Sequence, residues 1–130
     1  MNIFYADDDE DDREIFFDAL QQINPAIKLT LSKDGHEALE ILSTQEEPPD
    51  YIFLDINMPR MNGIECMAKL KSDSRLKSVP VIIHSTTMVD SEVKRLIKLG
   101  AEDFIPKVSS IEKLIELINK VLKNNSAVLL

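Results

Sequence analysis

Short apolar runs alternate with longer amphipathic stretches along this chain. The runs are Ile3 to Ala6, Ile27 to Leu31, Tyr51 to Leu54, Val81 to His84 and Asp103 to Ile105. They lack polar alternation, which predicts strands covered on both faces. Between them lie segments with helical spacing. One starts near Asp9 and carries Ile15, Phe16, Ala19, Leu20 and Ile23 on one face, with Asn24-Pro25 to end it. Others fit residues 35–44, 63–72 and 90–99, and Gly100 is placed to terminate the last of these. Ile111, Leu114, Ile115, Ile118, Val121 and Leu122 define a fifth helix, with Ser109 or Ser110 as its cap. Five strands alternating with five helices predict an α/β fold. It is a doubly wound parallel sheet with helices on both faces and right-handed crossovers.

Length and charge narrow the picture. A chain of 130 residues suits one domain, here drawn over 1–123, with Asn124 to Leu130 expected as a frayed tail. The net charge of -8 argues against a nucleic-acid surface. A single cysteine, Cys66, has no partner in the chain for a disulfide and reads as a small buried hydrophobe. No leader-like start is seen, and no run approaches the roughly 20 apolar residues of a membrane span. The expectation is a cytoplasmic protein with no membrane or nucleic-acid partner.

Chemistry gathers at the strand ends. Asp7-Asp8-Asp9-Glu10-Asp11-Asp12 follows the first run, and Asp55 follows the third. Ser85 ends the fourth run and is followed by Thr86, while Lys107 comes just after the fifth. In an open α/β sheet the carboxyl ends of strands are where ligands bind. Carboxylates collected there repel one another unless a cation joins them, and Mg²⁺ or Ca²⁺ suits an all-oxygen set. Asp9, Glu10, Asp11 and Asp12 read as a solvated helix start, with Asp9 as N-cap. An EF-hand does not fit, because Asp12 stands where the loop needs Gly and Asp18 where it favours Glu. His36 and His84 have no second histidine at ligand spacing and read as structural.

The set Asp7-Asp8, Asp55-Ile56-Asn57-Met58-Pro59 with Gly63 after it, Ser85-Thr86 and Lys107 resembles the receiver domain of bacterial response regulators. The resemblance spans about Asn2 to Lys123. It implies a flavodoxin-like (βα)5 sandwich with strand order 2-1-3-4-5. It implies that Asp55 is the phospho-acceptor, and that Asp7, Asp8, Asp55 and the Asn57 backbone carbonyl serve a Mg²⁺ ion. Lys107 matches the lysine that pairs with the phosphoryl group, Ser85 the hydroxyl drawn to it, and Phe104 the aromatic that then turns inward. The implied protein is a stand-alone signalling phospho-acceptor rather than an enzyme. A sensor histidine kinase or phosphotransfer protein would donate to it. Its fourth helix, fifth strand and fifth helix would present a changed surface to a partner protein.

Two positions depart from the family pattern. Val108 follows Lys107 where proline is usual, so a trans peptide, or a strained cis one held by the site, is expected there. Thr86 stands where many relatives carry Ala or Gly, and its bulk is expected to narrow access to the phosphoryl group. Thr87 and Asn57 are expected to flank the site. Other readings stay open: a phosphorylation-independent binding module on the receiver fold, and a Mg²⁺-dependent phosphohydrolase with an Asp nucleophile. A flavin carrier of similar architecture fits poorly, since six acids after the first strand would repel a phosphate.

Overall fold

The structure is a computed structural model that describes residues 1–86 and 89–126, with side chains described through Asn124. The elements are β1 (Asn2–Ala6), α1 (Glu10–Ile23), β2 (Lys28–Ser32), α2 (Gly35–Thr44) and β3 (Tyr51–Leu54). They continue with α3 (Gly63–Ser72), β4 (Val81–Ser85), α4 (Asp90–Leu99), β5 (Asp103–Pro106) and α5 (Ile111–Ser126). All strands pair in parallel, in the order β2-β1-β3-β4-β5. This is the doubly wound α/β fold expected from the sequence.

The caps explain why the helices start where they do. The Asp9 carboxylate accepts from the N–H groups of Asp11 and Asp12 at 2.8 and 3.2 Å, and Asp34 accepts from Glu37 N–H. Asn62 and Glu65 form a reciprocal capping box on α3. Ser110, rather than Ser109, caps α5 through Lys113 N–H. Each such cap is worth about 1 kcal/mol. Gly100 closes α4 with φ 102°, the left-handed conformation that glycine adopts freely.

The sheet separates two cores. Phe4, Ala6, Ile52, Leu54, Val81 and Ile83 pack against α2, α3 and α4. Ile3, Tyr5, Tyr51, Phe53, Ile82 and Ile105 pack against α1 and α5. Cys66 lies in the first core, and burial pushes its thiol up to about 12.

Two expectations need correction. β2 is half-exposed rather than covered on both faces, because the strand order places it at an edge; β5 is the opposite edge and half-exposed, as the order implied by the resemblance requires. α5 continues through Ser126, so Asn124 to Ser126 belong to the helix and not to a frayed tail. The rest of the tail, 127–130, lies outside the described residues.

Candidate functional site

The strand ends converge as the alternation of elements requires. β1 and β3 are neighbours, with Ala6 opposite Leu54, so Asp7 and Asp55 follow side by side. Backbone bonds hold both ends in place: Asp7 N–H donates to Ser32 O at 3.1 Å, and Asp55 N–H to Ala6 O at 3.0 Å. The next strand contributes Ser85, and Lys107 N–H donates to Ser85 O at 2.9 Å. One carboxylate oxygen each from Asp7, Asp8 and Asp55 lies within 4.8 Å of the others. Asp7 and Asp55 are buried and Asp8 is exposed.

Lys107 occupies the middle of this cluster. Its Nζ lies 2.9 Å from Asp7 Oδ2, 2.8 Å from Asp12 Oδ2 and 3.4 Å from Asp55 Oδ2. Burial alone would lower the lysine pKa, but the hydrogen bonds to Asp12 and Asp7 outweigh it and hold the ammonium firmly charged. Burial and the neighbouring Asp7 carboxylate raise Asp55 from 3.8 to about 6, against the pull of Lys107 and the Asn57 backbone bond. The all-oxygen donor set suits a hard divalent cation.

The loop after Asp55 is pressed close by glycine. A Cβ on Gly63 would fall 2.4 Å from Asp55 O and 2.7 Å from Ile56 Cα, and Gly63 N–H donates to Ile56 O at 2.7 Å. Between them Arg60 takes φ 64°, uncommon for a side chain of that size. Asn57, exposed on this loop, bonds the Asp55 carboxyl through its backbone.

Ser85, Thr86, Phe104, Ile105 and Pro106 line a cavity of about 230 Å³. Ser85 is buried and Thr86 exposed. Phe104 is half-buried and packs on the α2–α3–α4 core. No cis peptide occurs among the described residues, so the Lys107–Val108 bond is trans. Thr87 lies outside the described residues.

The response regulator receiver domain family model matches residues 3–119. The chain belongs to the response regulator receiver family. It is a receiver of two-component signalling. It is 33% identical to the two-component response regulator ORR5 of rice (Oryza sativa), over 94% of this chain and 89% of that one. It is 28% identical to the polar-differentiation response regulator DivK of Brucella anthropi, over 93% and 95%. Among solved structures, the phosphorylated cyanobacterial phytochrome response regulator RcpA superposes with a TM-score of 0.84. It is 27% identical, over 92% of this receiver and 89% of that chain. Relatives thus come from plants as well as bacteria, so the resemblance to bacterial regulators is too narrow a statement of kinship.

The receiver contains contacts that periodicity does not reveal. Asp12, placed by its position on a solvated helix start, is drawn inward to Lys107. Tyr5 and His84 look like strand core, and both are buried. Yet the Tyr5 hydroxyl touches both the Asp7 carboxylate and His84 Nδ1. Tyr5 stands two residues before Asp7, so both side chains leave the same face of the strand. His36 is an exposed residue with Nδ1 3.4 Å from Glu40.

Proposed function

We propose that this receiver accepts a phosphoryl group on Asp55 from a phosphohistidine, carried by a sensor histidine kinase or a phosphotransfer protein. The proposed reaction needs Mg²⁺, and it changes the α4–β5–α5 surface so as to control a partner protein. The observation that carries this reading is the buried Asp55 at the end of β3, with Lys107 Nζ at 3.4 Å and the acids of β1 beside it. No helix among the described residues is long and apolar enough to cross a membrane. A cytoplasmic location is part of the proposal.

In the proposed step an Asp55 oxygen attacks phosphorus while the P–N bond to the donor imidazole breaks. The imidazole departs with the bonding pair. With a folded-state pKa of about 6, Asp55 is mainly carboxylate at neutral pH and available to attack. Asp7, Asp8, Asp55 and the Asn57 carbonyl would hold Mg²⁺, which supplies positive charge to the transferring phosphoryl oxygens. Lys107 exchanges its carboxylate partners for a phosphoryl oxygen. The Ser85 hydroxyl donates to another, and Phe104 turns toward the cavity beside Ser85.

Intact mass after incubation with a small phosphodonor tests the proposal. The expected result is a Mg²⁺-dependent gain of one phosphoryl group, lost in Asp55→Asn. If neither the small donor nor a histidine kinase transfers to the wild type, the phospho-switch reading is overturned in favour of a phosphorylation-independent binding module. Thr86 sits at the rim of the same cavity. Its bulk is proposed to slow phosphate loss, so Thr86→Ala should dephosphorylate faster; an unchanged rate sinks that idea.

A further inference from the structure

A polar chain runs from Asp7 into the otherwise apolar α1–α5 side of the sheet. Tyr5 is fully buried and His84 is 3% exposed. The Tyr5 hydroxyl bonds Asp7 Oδ2, and its oxygen lies 2.8 Å from His84 Nδ1. A phenol has one proton to give. The carboxylate is the stronger acceptor, so the hydroxyl proton points to Asp7. Tyr5 therefore donates to Asp7 and must accept from His84, which fixes the ring as its Nδ1–H tautomer. Nε2 is then a bare lone pair, and among the described residues it has no partner. Phe16 stacks on Tyr5 with centroids 4.1 Å apart and holds the phenol plane.

An apolar side chain at position 84 would fill this core without stranding a buried acceptor. The hydrogen bond that His84 makes ends on the hydroxyl that orients Asp7. Among the described residues the Asp7 carboxylate takes three donors: Asp9 N–H on Oδ1, and Tyr5 and Lys107 on Oδ2. Lys107 must leave when it turns to a phosphoryl oxygen, whereas Tyr5, held by His84 and Phe16, has no reason to move.

We propose that Tyr5 and His84 are positioning residues that keep the Asp7 carboxylate oriented for a divalent cation after Lys107 departs. This rests on the reading of Asp7 as a cation ligand. Outer partners of metal ligands typically govern affinity in this way.

Calorimetric Mg²⁺ titration of wild type, Tyr5→Phe, His84→Leu and the double variant tests it, together with ring ¹H–¹⁵N correlation spectra of His84. The expected wild-type spectrum has the proton on Nδ1 and none on Nε2. Tyr5→Phe should weaken Mg²⁺ binding roughly tenfold. The double variant should match Tyr5→Phe in affinity, because His84 acts through Tyr5, while regaining melting temperature. A merely structural pair would move stability and leave affinity alone. Wild-type affinity in a folded Tyr5→Phe, or a proton on Nε2, overturns the proposal. If Tyr5→Phe does not fold, His84→Leu decides, and unchanged affinity in that variant overturns it. A wild type with the Nδ1 proton but no Mg²⁺ binding shows instead that the cation reading of Asp7 has failed, and the positioning role falls with it.

Discussion

On the α2–α3–α4 side of the sheet the buried residues are nearly all aliphatic or sulfur-bearing, among them Leu42, Ile52, Leu54, Met67, Leu70 and Leu96. On the α1–α5 side the same depth holds Tyr5, Phe16, Tyr51 and Phe53, with His84 against Tyr5 and Phe16. The first side contributes apolar burial and little that is directional. The second does the same work but also carries an oriented hydrogen-bond chain, from His84 through Tyr5 to Asp7. Substitutions of these fully buried aliphatic residues on the first side should therefore change stability alone, and those along the Phe16–Tyr5–His84 contacts on the second should change stability and site chemistry together.

The largest expected effect is on the aliphatic side. Leu70 is fully buried on α3, and Leu70→Ala should lose about 2–5 kcal/mol in urea unfolding with Mg²⁺ affinity of the folded protein intact. A parallel loss of affinity would break the comparison.

The next is a pH effect at the site. The folded Asp55 carboxyl sits at about 6, above its ordinary 3.8, because of burial and then Asp7. The folded protein thus holds a proton in that window that the unfolded chain releases. This stabilisation is complete below about pH 4 and is lost as pH rises through about 6. Without a divalent cation, Asp55→Asn should be more stable than wild type by on the order of 2 kcal/mol at neutral to alkaline pH. The advantage should vanish in acid, as thermal melts across pH would show.

Phe16→Leu keeps the aromatic side apolar but removes the stack on Tyr5. About 1 kcal/mol of stability should go, accompanied by weaker Mg²⁺ binding. A stability loss with no change in binding would make the two sides alike. The smallest effect belongs to Asp12→Asn, which frees Lys107 from its 2.8 Å contact. A half-exposed ion pair of this kind is worth up to about 1 kcal/mol. Phosphoryl uptake should quicken a few-fold, as a time course of intact mass would record.

The sequence made some of this legible and hid the rest for physical reasons. Strand runs and helical spacing are local signals, and residues 35–44, 63–72 and 90–99 are helical as their spacing predicts. Asp7, Asp55 and Lys107 could be placed together because each ends or follows a strand of one parallel sheet. Edge exposure of β2 and β5 depends on strand order, which no local pattern encodes. The Asp12–Lys107 contact spans 95 residues and Tyr5–His84 spans 79. Each of these residues has an ordinary local explanation, as helix start or strand core, that conceals the second role.

Lys107 stands within 3.4 Å of three carboxylates, so the acidic end of the sheet behaves as an ion exchanger with one counterion tethered to the polymer. A diffusible cation enters by displacing that tethered charge, and when it leaves, the tether swings back. Chelation should accordingly cost the receiver its reactivity and leave its fold standing.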